Sequence, residues 1–269
     1  MVSLGPLAAK KHCPFSCAFC YVQDDFKTYP ALPEDDIIAF LKQNEGLYQI
    51  IYVSGDTDSF APPRTNQGLH LLRRISTMFD CDLLFTSRTT FAPAYLKIIN
   101  EIAVTQVRKH KRLYACISIS RYSESLAYLE PKPIPHPEQR ITTLNDLHEA
   151  GAVTVLAMRP FLPVVPISDY LTILRKSHRF VDIVLGEHFY FTRNGMVCKR
   201  VFPQGIETSV EKDITQGNKM PFDVNDSDWN IWYSPEYEEA VRNKCQEYGI
   251  VFSMHSRDAI EKFNKTYPL

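Results

Sequence analysis

No apolar run in the chain approaches the roughly 20 residues that span a bilayer, so the sequence offers no membrane-crossing helix. Its opening stretch, MVSLGPLAAKKHC, is too short and too polar for a secretory signal. Neither sign of charge is in excess. The formal net charge is −1, with acids and bases interspersed, which argues against a surface built for phosphate backbones and disfavours a nucleic-acid partner. Internal repeats and low-complexity segments are missing too. Paired cysteines are scarce: Cys81, Cys116, Cys198 and Cys245 each stand alone. With seven cysteines in all and no export signal, reduced thiols are expected rather than a disulfide framework, and the expected setting is the cytoplasm.

What is present is alternation. At 269 residues and 45% hydrophobic, the chain is long enough for one large domain, with or without an appendage. PEDDIIAFLKQNEG starts with proline and acids and ends in glycine, as helices prefer, and it runs into YQIIYVSG, a short β-branched strand. Leu72, Ile75 and Phe79 recur at helical spacing before DLLFTS, and Leu96, Ile99 and Ala103 before RLYACISIS. ITTLNDLHEAG leads to VTVLAM, and PISDYLTILRK to FVDIVLG. Such strand–helix alternation implies a parallel sheet with right-handed crossovers. With a short strand before Cys13 the sheet has six strands, fewer than a complete eight-stranded barrel needs. After Gly186 the pattern changes. HFYFTRNGMVCKRVF reads as a β-hairpin about Asn194-Gly195, the stretch from Pro203 to Asp228 as loop, and SPEYEEAVRNKCQEYGIVFSMHSRDAIEKF as helix, strand, helix. Residues 1–190 are thus expected to form the core, and residues 191–269 an extension packed on it.

The chemistry concentrates in CPFSCAFCYV, where Cys13, Cys17 and Cys20 stand in Cys-x3-Cys-x2-Cys spacing. A structural zinc site needs four closed ligands, usually arriving as two pairs, and the second pair is missing. His12 as a fourth ligand would be strained by its adjacency to Cys13. Three thiolates on a four-iron cube leave one iron without a protein ligand. Open coordination suits a working cluster; a structural one closes it.

Cys13, Cys17 and Cys20, with Phe19 before the last cysteine and Tyr21 after it, resemble the signature of the radical S-adenosylmethionine superfamily. TDSFAPP, FTSR, SISRYSESLAYLEP, Arg140 and HEAGAVTVLAMRPFLPVVP, in that order, resemble its spore photoproduct lyase-like branch from about Cys13 to Pro166. The resemblance implies a partial (β/α)6 barrel of α/β class, TIM-like, with the cluster loop after the first strand. It implies two cofactors, a [4Fe–4S] cluster and S-adenosyl-L-methionine. There the open iron chelates the amino and carboxylate groups of S-adenosylmethionine, and one electron splits the sulfonium to a 5′-deoxyadenosyl radical that takes hydrogen from a substrate. It further implies an external electron donor of flavodoxin or ferredoxin type, since the chain carries no flavin or second-cluster motif.

Site residues follow from matched positions. Where family members often carry Gly-Gly-Glu for the methionine amino group, this chain has SGDTDSF, so Ser54, Gly55, Asp56, Thr57 and Asp58 are candidates; the competing reading is a turn capped by an aspartate. Arg88, after the third strand, suits the methionine carboxylate, which a guanidinium can grip bidentately. Side-chain alternation in RLYACISIS puts Tyr114, Cys116, Ser118 and Ser120 on one face and Leu113, Ala115, Ile117 and Ile119 on the other. Ser118 and Ser120 then reach the C-terminal rim, where parallel α/β folds bind ligands and where the family contacts ribose hydroxyls; otherwise they bond to backbone. Arg159 and Pro160 fall where backbone would meet adenine. Glu130 and Arg140 form an ion pair bracing the rim, or Glu130 touches the cofactor. Glu187 and His188 follow the sixth strand as substrate candidates, and Cys116 or Cys198 as hydrogen donors to a product radical. The hydrogen-donating cysteine that the repair enzyme places near the end of strand two has no counterpart in IIYVSGDTD, so DNA repair is not expected. Two other classes stay open: a zinc-binding structural or interaction module, and an iron–sulfur electron-transfer or sensor protein without S-adenosylmethionine chemistry.

Overall fold

The helices of this protein begin and end where their sequences direct. In the computed structural model, which describes residues 1–4, 13–23, 32–55, 57–218 and 228–269, Glu34, Asp35 and Asp36 fill the first turn of the first helix and Lys42 its last, complementing the helix dipole. Pro93 and Pro137 open two later helices, where a missing N–H costs nothing. Gly249 ends another with φ +71°, the left-handed conformation that glycine tolerates.

The elements run β1 (Val2–Leu4), α1 (Glu34–Gln43), β2 (Ile50–Val53), α2 (Thr65–Met78), β3 (Asp82–Ser87), α3 (Pro93–Arg108), β4 (Leu113–Ser118), α4 (Pro137–Glu149), β5 (Val153–Met158), α5 (Ile167–Ser177) and β6 (Ile183–Gly186). They are followed by β7 (Phe189–Phe191), α6 (Met196–Val201), α7 (Thr208–Glu211), β8 (Ile214–Asn218), β9 (Trp229–Trp232), α8 (Pro235–Tyr248), β10 (Val251–Ser253) and α9 (Ser256–Thr266). A parallel sheet takes the order β1-β2-β3-β4-β5-β6-β10. The sheet has seven strands where six were expected, because β10, from the stretch expected to be an extension, pairs parallel with β6. Among the described residues its end strands, β1 and β10, are not paired with each other, so the sheet is open, as a partial barrel is expected to be. Among the described residues no helix is long and apolar enough to cross a membrane.

Strand parity sorts the core into two parts. Leu83, Phe85, Leu113, Ala115, Ile117 and Leu156 point outward into the main core shared with the surrounding helices. Leu84, Tyr114, Cys116, Val155, Ala157, Ile183 and Leu185 point inward and meet Ala259, Ile260 and Phe263 of α9. The last helix thus lies across the strand starts, while the strand ends stay available.

The region after β6 corrects the sequence reading. Asn194-Gly195 does lie in a turn, with the Gly195 N–H donating to Thr192 O at 3.0 Å, but Gly195 has φ −73° and ψ 168° and caps α6. A two-residue hairpin turn of type I′ needs positive φ there. Instead β7 pairs antiparallel with β9, and β9 with β8, so the C-terminal hairpin is formed by β8 and β9. The expected loop from Pro203 to Asp228 therefore contains α7 and β8; its residues 219–227 lie outside the described residues.

Candidate active site

The cysteine loop is pinned from two sides. Ala18 N–H donates to Leu129 O at 2.9 Å, and Cys20 N–H to Cys17 O at 3.2 Å, closing a tight turn. Phe15 and Phe19 are buried, and Cys17 is buried between them while Cys13 and Cys20 are half-buried. Tyr21 packs edge-on to Trp229 with ring centroids 6.5 Å apart. No disulfide joins any of the seven cysteines. Burial pushes the Cys17 thiol up to about 12, against the opposing pull of the Arg88 guanidinium. His12 lies outside the described residues.

The loop forms one wall of a cavity of about 430 Å³ at the C-terminal ends of the strands. Cys13, Cys17 and Cys20 line it together with Ser54, Gly55, Thr57, Asp58, Arg88, Cys116, Ser118, Arg159 and Glu187. Parallel α/β sheets offer ligands this rim because the strand-to-helix loops converge there.

After β2 the chain turns sharply. Ser54 has φ 72°, a left-handed conformation that costs a non-glycine residue roughly 1–2 kcal/mol. Its hydroxyl donates to Thr57 O and accepts from Ser59 N–H at 2.7 Å, holding the turn. Asp58 is buried and accepts from Phe60 N–H at 3.0 Å, from Ser87 Oγ at 2.8 Å and from Arg88 N–H at 2.7 Å. It therefore staples the β2 loop to the end of β3, as the turn reading held. Burial raises its carboxyl pKa, against those hydrogen bonds. Thr57 differs: its Oγ1 is buried and has no hydrogen-bond partner among the described residues. Asp56 lies outside the described residues.

Behind the loop sits a buried cluster of charge. Arg88 donates to Glu130 Oε1 at 2.6 Å and stacks over the Phe19 ring at 5.1 Å. Both Glu130 oxygens also accept from Arg140, and Arg121 Nε stands 3.7 Å from Glu130 Oε2. Glu130 and Arg140 are 2% and 0% exposed, so neither charge is met by solvent. Burial pushes the Glu130 carboxyl up, and Arg140 and Arg88 more than reverse it, holding it below the ordinary carboxylate range. The expected Glu130–Arg140 brace is thus present. Arg121, absent from the sequence reading, belongs to it; single residues at loop ends give no sign of which charge they will meet.

The opposite wall comes from the inner strand faces. Tyr52 OH and Thr86 Oγ1 hydrogen-bond at 2.8 Å beside Cys116. Burial pushes Tyr52 up to about 12 and raises Cys116 as well. Arg159 is held through Nε to Gly186 O at 3.2 Å, Nη1 to Ser256 Oγ at 2.9 Å and Nη2 to Met254 O at 3.2 Å. Tyr52 and Thr86 were missed by sequence reasoning, although their inward parity is the signal that could have found them.

Three candidates fall outside the cavity. Ser120 is fully buried and donates to Arg159 O at 2.8 Å, so it takes the backbone-bonding reading. His188 is turned toward Tyr233, with ring centroids 4.8 Å apart, because β7 pairs with β9 and sets His188 beside Tyr233. Cys198 lies on α6 in the main core, which the expected hairpin would not have placed there.

The donor set suits an iron–sulfur cluster with three protein ligands: three cysteines on one cavity wall, apolar rings around them, and no fourth cysteine lining the loop side. Among the described residues no group of three His, Cys, Asp or Glu side chains stands close enough to hold a single metal ion. The orphaned Thr57 hydroxyl and the polar rim suit a nucleoside cofactor that brings its own hydrogen-bonding groups.

Comparison with solved structures finds the same fold elsewhere. A spore photoproduct lyase variant matches with TM-score 0.65 and 15% identity, covering 90% of this chain and 74% of that one. Another variant of that lyase, with bound AdoMet and dinucleoside spore photoproduct, matches with TM-score 0.66 and 15% identity over the same shares. SuiB of Streptococcus suis, bound to precursor peptide SuiA, matches with TM-score 0.57 and 10% identity, over 98% of this chain and 50% of that one. The chain therefore shares its fold with spore photoproduct lyase, as the sequence resemblance implied. No family model and no curated protein sequence matches the chain.

Proposed function

We propose that the protein is a radical S-adenosylmethionine enzyme acting on a substrate held in the cavity beside the cysteine loop. The observation that carries this reading is the convergence of Cys13, Cys17 and Cys20 with the polar strand ends on a single cavity. Those cysteines would hold a [4Fe–4S] cluster by three irons. When bound, cluster and cofactor supply a 5′-deoxyadenosyl radical able to take hydrogen from substrate. The chain's own residues bind, orient and shield. Thr57 Oγ1 and the backbone of the Ser54–Gly55 turn face the end where the methionine amino group would sit. Arg88, fixed by Glu130, offers a guanidinium for the carboxylate. Ser118 suits a ribose hydroxyl, and the Arg159–Pro160 backbone suits adenine. Phe15, Phe19 and Tyr21 exclude water from the cysteines, and Cys116 is the thiol within reach of a product radical. An external one-electron donor, of flavodoxin or ferredoxin type, completes the cycle.

The test is product formation. Protein reconstituted without oxygen, given S-adenosylmethionine and dithionite, is expected to release 5′-deoxyadenosine, and C17A is expected to release none. A well-folded, iron-loaded chain that releases no nucleoside under these conditions contradicts the proposal.

A further inference from the structure

The cavity is electrically lopsided. On the cysteine side Arg88 lines the cavity beside Asp58 and is backed by Arg121 and Arg140, three guanidiniums around the carboxylate of Glu130. On the other side the only charged groups lining the cavity, among the described residues, are Glu187 and Arg159. All three N–H groups of Arg159 that face Gly186, Met254 and Ser256 are committed there. No described residue donates a hydrogen bond to the Glu187 carboxylate, and no described cation stands within ion-pair distance of it; its backbone carbonyl, by contrast, is taken by Phe161 N–H at 2.8 Å. Around it the lining is Tyr52, whose hydroxyl is engaged with Thr86, and the apolar or weakly polar Cys116, Ala157 and Pro160.

Glu187 itself is half-buried, its carboxylate open to the cavity rather than to a protein partner. A ligand that fills the cavity takes this carboxylate out of water, which is costly unless a counter-charge or a donor meets it there. None of the described residues supplies one, so the ligand is the partner proposed here. Resting on the reading above of this cavity as a radical enzyme's site, we infer that the substrate carries a protonated amine, or an equivalent cationic N–H group, which Glu187 binds. Glu187 is then the residue that selects substrates, at the end of the cavity away from the arginines. The charge distribution sorts the two guests. An anionic carboxylate is drawn toward Arg88 and a cationic head toward Glu187, so cofactor and substrate do not exchange places. Burial also raises the Glu187 pKa, with Arg159 and His255 opposing; an arriving ammonium favours the ionised form, so binding weakens as the pH falls through that group's titration.

The experiment uses the full chain, reconstituted anaerobically and assayed for iron, titrated calorimetrically with n-butylamine, n-butanol and n-butyrate. The amine is expected to bind tighter than the equally long alcohol by about tenfold or more, the scale of one charge-assisted hydrogen bond, and butyrate more weakly still at this end. E187Q, which keeps shape and removes charge, is expected to abolish the preference while leaving iron content unchanged. Equal binding of amine and alcohol to the unaltered chain overturns the inference, without recourse to any variant. So does an amine preference that survives in E187Q. Absence of iron, or of nucleoside release, counts instead against the radical reading, since amine selectivity can be measured on metal-free protein as well.

Discussion

The two ends of the central sheet are finished differently. At the strand starts, Arg112 meets Asn264 and Tyr267 O, Tyr114 OH donates to Asn264 at 2.7 Å, and Asn264 donates to Asp82 at 3.3 Å. Phe263 packs beneath Arg112 at 5.1 Å, so α9 supplies both the apolar cover and the polar partners. At the strand ends the arrangement is less complete: the buried Thr57 hydroxyl has no partner among the described residues, Ser54 is held in a left-handed conformation, and the half-buried Glu187 faces the cavity without a described partner. At the first end the protein supplies most of the partners, with Gln106 Oε1 left over among the described residues. The other is arranged for something the protein does not itself contain. Strain and unmet polarity are kept where a ligand would relieve them.

The sharpest way to break that comparison is at the charge cluster, which belongs to the ligand end but whose charges are paired within the protein. E130Q leaves three guanidiniums around a neutral amide, and a loss of about 3–5 kcal/mol is expected in urea denaturation. Because the Glu130 pKa is held below its unfolded value, the stability it contributes is present at neutral pH. It is lost as the pH falls through the folded pKa, and the chain should become acid-sensitive below the ordinary carboxylate range. An E130Q protein as stable as the parent would show that the cluster serves only the ligand.

At the opposite end, F263A removes a buried ring from the α9 cover, and a loss of about 3 kcal/mol is expected. Iron content and nucleoside release per folded molecule should not change. A selective loss of nucleoside release would mean that the two ends are coupled.

Smaller effects separate scaffold from site within the rim. A Cβ at Gly68 would lie 2.5 Å from Ser59 O, so G68A must push α2 away from the loop that carries Thr57 and Asp58. About 1–3 kcal/mol of stability should go, with weaker cofactor binding, read by calorimetry with S-adenosylmethionine. T57V replaces the orphaned hydroxyl by a methyl of like shape. Stability should stay within about 1 kcal/mol of the parent or rise, while affinity for the cofactor falls. If affinity is unchanged, Thr57 is merely buried.

Much of the scaffold was legible because its signals are local. Helix starts carry acids or proline, and the alternation in LYACIS announced that Cys116 and Tyr114 face inward while Ala115 and Ile117 face outward, as they do. The cysteine spacing picked out the loop that the fold brings to the strand ends. What failed was non-local. Phe189–Phe191 looked like half of a hairpin, but its partner is Trp229–Trp232, nearly forty residues on, and no short-range pattern reports that pairing. Gly195 carried a turn signal that a helix cap satisfies equally well. Ser54 holds its left-handed turn without a glycine to advertise it. Arg88, Arg121 and Arg140 converge on one glutamate from separate elements, and only the folded chain makes them neighbours.

The measurement that bears most directly on the account is the metal content of protein purified without oxygen, joined to the electron paramagnetic resonance of its reduced form. The account predicts about four irons and four sulfides per chain, held through Cys13, Cys17 and Cys20, and a signal that shifts when S-adenosylmethionine is added. One zinc per chain, or a cluster whose signal ignores the cofactor, would contradict it.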